Sequence, residues 1–389
     1  MCEAQGLYFY NSGLTGHGSY VIIKPSTINR FDNQKGAIIL YNSRIECYKA
    51  LETEFQGSVI AYITGDRPGF ETRIAQDVID LFITQLDKIG PVDRIVLYLY
   101  TRGGDTSAAW NIVNLLKMYC DDLMVIIPHK AHSAGTIISL GANKIVMTKQ
   151  ATLSPIDPSL NTPMNPVIPN DPMNQTTPVS VEAVKGYIEL AKDEFGIQDN
   201  QALSDVLIKL SEYVHPLVLG QVYRSRAQIK MLARKLLKNQ IGDQDQLNRI
   251  IDFLCSDSGS HDYTINRREA KSELGLNVSK PTSPQYNIIK SIYDDFSLEL
   301  GFGEVFDPQM IQGAYAVRRG FIESVVGGSD FFVTEGRCST VTTPNGPAIQ
   351  VNKIFEGWRH SETAELPQTA QVSTLDGEVN YEQDDEFKL

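Results

Sequence analysis

Two short stretches hold residue types that could do acyl-transfer chemistry: TRGGD at 101–105, with Gly103 and Gly104, and AHSAGT at 131–136, with Ser133. A glycine pair offers backbone N–H groups with no Cβ in the way. A serine at the start of a helix stands where the helix dipole favours a developing anion. Together the two stretches have the makings of an oxyanion hole facing a nucleophilic hydroxyl. Each has a plainer reading too, as a tight turn and as a helix N-cap.

The elements between them decide whether they meet. Residues 95–100 form an apolar and aromatic run without alternation, as in a strand buried on both faces. After the glycines, Asp105 or Thr106 can cap a helix whose apolar positions Ala109, Ile112, Val113, Leu116 and Tyr119 keep helical spacing. Residues 123–128 are a second buried strand. A helix of about 14 residues runs roughly 21 Å, and a strand of about 6 returns roughly 20 Å. The right-handed crossover makes the strands parallel. Both stretches then fall at the carboxyl edge of one sheet, where open α/β sheets bind ligands.

The rest of the chain fits that frame. Residues 42–55 predict a helix with one apolar stripe, 59–64 a strand and 72–89 an amphipathic helix through Ile74, Val78, Leu81, Phe82 and Leu86. A further strand covers 144–148. The segment 151–178 holds seven prolines and is expected to be irregular. Residues 180–256 read as wholly helical, 286–298 as another helix, and the turn at 343–346 as the tip of a hairpin. The boundaries expected are 1–57 for an N-terminal segment and helix, 58–280 for the main α/β domain, 281–359 for C-terminal helices and hairpin, and 360–389 for a disordered tail.

Composition narrows the class. The formal charge of −12 argues against a basic nucleic-acid face. Much of it lies in residues 360–389, which carry eight acidic side chains and one lysine. The five cysteines are scattered without metal spacing, which points to a reducing, cytoplasmic compartment and no metal. The first residues lack the features of a signal peptide, and no run approaches 18 apolar residues, so no integral membrane segment is expected. No P-loop occurs, so any hydrolysis is expected to be ATP-independent, and no cofactor is called for.

TRGGD, then AHSAGT, then GANKIVMTKQATLSPIDP resembles the Clp/crotonase superfamily of serine peptidases. Within it the chain is similar to the signal peptide peptidase A branch and to the serine dehydrogenase proteinases. SHDYTINRREAKSELGL resembles the segment that ends the catalytic domain in Clp-type proteases. The resemblance covers about residues 40–280. It implies a Clp/crotonase-like α/β spiral of parallel strands and helices, here with a helical insertion and a small C-terminal extension. It also implies a peptide or protein substrate and a homo-oligomer that encloses its active sites.

Carried over residue by residue, Ser133 matches the nucleophile, and the amides of Ala134 and of Gly103 or Gly104 match the oxyanion donors. The base departs from the pattern. Clp proteases place a histidine on the strand after the nucleophile helix, but that position falls in LSPID here. Signal peptide peptidases use a lysine in the following loop, yet 150–184 has none. The candidates are His261 in the third motif and Lys185 on the next helix. Asp157 or Asp262 would orient the base, while His132 is expected to point elsewhere. Two other readings stay open: a crotonase-type acyl-thioester enzyme using the same oxyanion hole, and a non-catalytic scaffold of the same fold.

Overall fold

In the computed structural model the described residues are 33–361, apart from 157–158, 170, 172–173, 239, 258–262, 312 and 344–345. The acidic tail lies outside them. The elements in chain order are α1 (Asn33–Phe55), β1 (Ser58–Thr64), α2 (Ile79–Ile89), β2 (Val92–Tyr100), α3 (Thr106–Tyr119), β3 (Cys120–Ile127), β4 (Lys130–Ala131), α4 (Ala134–Leu140), β5 (Lys144–Met147) and β6 (Thr152–Leu153). There follow β7 (Ser159–Leu160), β8 (Val179–Ser180), α5 (Val181–Glu189), α6 (Asn200–Tyr213), α7 (Pro216–Leu237) and α8 (Gln244–Asp252). The chain ends in β9 (Ile265–Asn266), α9 (Arg267–Ser272), β10 (Val278–Ser279), α10 (Ser283–Glu299), β11 (Gly313–Ser324), β12 (Gly328–Thr343) and β13 (Gly346–Ser361).

One eight-stranded sheet in the order β10-β5-β3-β2-β1-β11-β12-β13 organises the molecule. Its first five strands are parallel, and β11 to β13 continue it antiparallel from β1. β2 shows why the apolar run was needed. Ile95, Leu97 and Leu99 pack into one core with α2, α3, α4, α7 and α8, while Val96, Tyr98 and Tyr100 pack into a second core with α1 and α10. The parallel sheet under two layers of helices is the α/β architecture expected. A small sheet, β4-β6-β9, starts where the large one stops, and an isolated bridge between Thr101 and Ala131 joins the two. This small sheet carries the Ser133 turn.

Several sequence readings are corrected in detail. The helix expected at 72–89 begins only at Gln76, with one 3₁₀ turn ahead of α2. Ile74 is extended instead: its amide donates to the Gly103 carbonyl (2.9 Å), and its carbonyl accepts from the Asp105 amide (2.8 Å). Its apolar side chain still faces the core, which is why helical spacing alone misplaced it. The first helix starts at Asn33, not at 42. The proline-rich segment does hold paired residues, but among the described residues only two-residue strands, β6 against β4 and β9 and β7 against β8, and one isolated bridge.

Candidate active site

β2 ends at Tyr100, and its next residues turn sharply. Gly103 and Gly104 have φ of 108° and 149°, backbone that side chains rarely adopt. A Cβ on Gly104 would lie 2.2 Å from the Ile74 carbonyl oxygen. A Cβ on Gly103 would lie 2.7 Å from the Ser133 Cβ and 3.3 Å from its Oγ. Only glycine lets the turn lie against Ser133 on one side and Ile74 on the other. Asp105 then caps α3, accepting from the Ser107 and Ala108 amides. Burial pushes its carboxyl up, but these bonds and that from the Ser107 hydroxyl hold it below the ordinary range.

Ser133 precedes α4 with φ 51° and ψ −111°. A non-glycine residue there costs about 1–3 kcal/mol and persists only where its surroundings enforce it. The enforcement is visible. The Ser133 amide donates to Ser154 Oγ (2.8 Å), and Thr136 Oγ1 donates to the Ala131 and Ser154 carbonyls (3.1 and 2.8 Å). The Ser133 hydroxyl makes no capping bond, so the plain N-cap reading does not describe it. Ser133 is 8% exposed, buried between the half-buried His132 and the wholly buried Ala134.

The amides around it divide into two sets. Gly103 N–H donates to Thr101 Oγ1 (3.0 Å), and Ser133 N–H is taken by Ser154. The Gly104 amide and the Ala134 amide, first in α4, have no acceptor among the described residues. Two free donors beside one unbonded hydroxyl can stabilise an anion formed on an attacked carbonyl. Of the two glycines named from sequence, Gly104 is therefore the one with a donor to give.

Next to this turn, the strand ends carry charge. Asp66 accepts from Lys130 Nζ (2.7 Å) and the Tyr100 hydroxyl (2.8 Å), and Arg102 stands 3.2 Å away. Burial raises the Asp66 carboxyl, but the bonds from Lys130 and Tyr100 outweigh it and hold it below its ordinary value. Burial and the Lys130 charge lower the His129 imidazole.

The bases expected from sequence are not all in view. His261 and Asp157 lie outside the described residues, as does Asp262. Lys185 sits on α5 with its ammonium 3.3 Å from the Glu189 carboxylate one turn on. The His132 Nε2 lies 2.9 Å from Thr152 Oγ1, so this neighbour of Ser133 is engaged with β6. Thr64, Thr101, Thr136 and Ser154 are the residues that the sequence reading missed. Their only local signal is a hydroxyl within a buried run, which does not by itself single them out.

Comparison with known families agrees with this geometry. Residues 83–182, which span β2, both turns and the segment up to α5, match the family model described as ClpP-like SDH-type serine proteinase. Over this segment the chain is similar to that family. Two uncharacterized proteins of Methanocaldococcus jannaschii are similar: one is 29% identical over 208 residues, 53% of this chain and 61% of the relative. The other is 27% identical over 205 residues, 52% of this chain and 55% of the relative. The chain thus covers less than two thirds of either. Among solved structures, the 1510-N membrane-bound stomatin-specific protease is 17% identical, with a TM-score of 0.31 over 58% of this chain and 81% of that one. ClpP1 from Listeria monocytogenes is 13% identical, with a TM-score of 0.32 over 63% of this chain and 99% of that one.

Proposed function

We propose that this chain hydrolyses peptide bonds through an acyl-enzyme on Ser133. The observation that carries the reading is the left-handed backbone of Ser133 (φ 51°), which holds a hydroxyl with no partner among the described residues against the glycine turn. The Ser133 Oγ attacks the scissile carbonyl carbon while the base takes its proton. The oxyanion forms between the Gly104 and Ala134 amides, the C–N bond breaks, and the leaving amine takes the proton. Water then releases the acyl group by the same route. An acyl-thioester enzyme of crotonase type needs the two amides but not the strained hydroxyl.

We assign the base to His261, with Lys185 as the alternative, and the orienting carboxylate to Asp157. The chain on either side of His261 supports this. The Leu254 carbonyl accepts from Ile156 N–H (2.7 Å), and Ile265 pairs with Leu153, next to the Ser154 that holds the Ser133 amide. Asp157 follows Ile156 directly. The engagement of Lys185 with Glu189 counts against it.

The reading extends to a peptide or protein substrate, no ATP, a cytoplasmic setting and a homo-oligomer. Cys47, Cys120, Cys255 and Cys338 are all free thiols, in keeping with a reducing compartment. Helix α6 buries none of its side chains and exposes Leu207 (52%), Ile208 (59%) and Tyr213 (69%), in keeping with cover by another copy. No helix among the described residues is long and apolar enough to cross a membrane.

A fluorophosphonate probe tests the reading. Labelling on Ser133, lost in Ser133→Ala together with hydrolysis of a fluorogenic peptide, is the expected result. A chain that hydrolyses peptide equally well as Ser133→Ala has another nucleophile.

A further inference from the structure

The two free amides of the site are free because two others are occupied, and Thr101 does the sorting on the glycine side. It is fully buried at the point where β2 leaves the large sheet. Its backbone ties the glycine turn to the serine turn: its amide donates to the Lys130 carbonyl (3.0 Å), and its carbonyl accepts from the His132 amide (3.1 Å). Its methyl lies under the first turn of α4, where a Cβ on Gly135 would come within 2.4 Å of Thr101 Cγ2.

The hydroxyl has a separate task. Thr101 Oγ1 accepts from Gly103 N–H at 3.0 Å and from the Thr64 hydroxyl at 2.9 Å. Thr64 is itself buried, at 3% exposure, at the end of β1. Backbone N–H groups seek acceptors when buried. Without the Thr101 oxygen, the Gly103 amide would have to turn toward another acceptor, and the freedom of two consecutive glycines would allow it. The next peptide plane, which carries the Gly104 N–H, is held through its Gly103 carbonyl, 3.5 Å from the same Thr101 hydroxyl and 2.9 Å from the Ile74 amide that donates to it, so loss of the hydroxyl removes one hold from each plane of the turn.

We propose that Thr101 is a positioning residue of the oxyanion site, its hydroxyl pinning the Gly103 amide so that the Gly104 amide stays directed at the carbonyl attacked by Ser133. Thr64 acts behind it by fixing the direction of that hydroxyl. The proposal rests on the reading of Ser133 as nucleophile and adds what holds its oxyanion donor in register.

The test compares Thr101→Val, which keeps shape and β-branching but removes the hydroxyl, with Thr101→Ser, which keeps the hydroxyl and removes the methyl. Loss of an oxyanion donor costs about 10²- to 10³-fold in kcat, so its misdirection should cost about 10- to 100-fold. Thr101→Val should therefore lower kcat on a fluorogenic peptide by that factor with KM changed less than about twofold, since the donor acts in the transition state. Thr101→Ser should stay within about threefold of the parent chain. A Thr101→Val enzyme with parental kcat overturns the proposal, and so does a Thr101→Ser enzyme that loses as much as the valine variant. If Thr101→Val does not fold, Thr64→Val reads the same link with the Gly103 acceptor still present. It should lose about two- to fivefold in kcat at constant KM, and no loss there overturns the proposal. An unmodified chain that neither cleaves peptide nor takes the fluorophosphonate on Ser133 counts against the peptidase reading instead, before any threonine variant is made.

Discussion

Two buried polar regions flank the same sheet and are built on opposite terms. Under α1 and α10, Arg44 is wholly buried, yet its donors have carboxylate partners: Nε and Nη2 reach Glu323 (3.0 and 2.8 Å), and Nη1 reaches Glu299 (2.6 Å). Glu323 also accepts from the Tyr48 and Ser329 hydroxyls, at 2.6 and 2.8 Å. The Arg44 guanidinium lies 4.4 Å from the Phe296 ring centroid. At the carboxyl edge, by contrast, the Gly104 and Ala134 amides and the Ser133 hydroxyl are left without partners among the described residues. A buried charge must be satisfied because a missing partner is costly. A site keeps donors open because their partner arrives with the substrate. The first region fastens α1, α10 and β11 together; the second leaves its donors open at the sheet edge.

The comparison breaks most sharply at Ser133. Ser133→Ala should lower peptide turnover by about 10⁴-fold or more, with the melting temperature little changed. Turnover and thermal denaturation on one preparation check both halves. Next comes the base. His261→Ala should remove most activity and, in what remains, the rise through an apparent pKa of about 6–7 expected of a neutral imidazole. Lys185→Met should leave both largely intact. A pH profile of kcat/KM for each variant checks this, and the reverse pattern hands the base to Lys185.

Arg44→Met tests the other region. It should cost about 3–5 kcal/mol of stability by leaving Glu323 buried and unpaired, while turnover per folded molecule stays near that of the parent. Urea denaturation measures the loss. Adding Glu323→Gln should cost less than the sum of the two single changes, because the partners share one network.

The smallest effect is expected at Asp66, at the carboxyl edge beside the glycine turn. Its carboxyl is held below the ordinary range in the folded chain, so it contributes stability at pH above about 3.9. That contribution is lost as pH falls through the folded value. Asp66→Asn should therefore melt below the parent at pH 7, and the gap should narrow toward pH 3. Melting curves across that range check the sign, and a gap that widens in acid would contradict it.

Much of this protein was legible in the residues themselves. The unalternating run of β2, the capped α3 and the apolar β3 dictate a parallel unit, because a strand buried on both faces has no polar side to show. The same logic put Gly103, Gly104 and Ser133 at one sheet edge. Ile74 was misread because a buried apolar position looks the same on a strand as on a helix until its backbone partners are known. That β11 continues the sheet from β1 was also out of reach, since strand pairing across so long a separation leaves no local period. The choice between Gly103 and Gly104 belongs to tertiary structure as well. Both glycines are free to turn, and which amide remains open depends on the Thr101 hydroxyl that accepts from Gly103 N–H and on the Ile74 amide that donates to the Gly103 carbonyl. Sequence alone supplied the residue types that could do chemistry. The fold decided which of their atoms are already spent on one another.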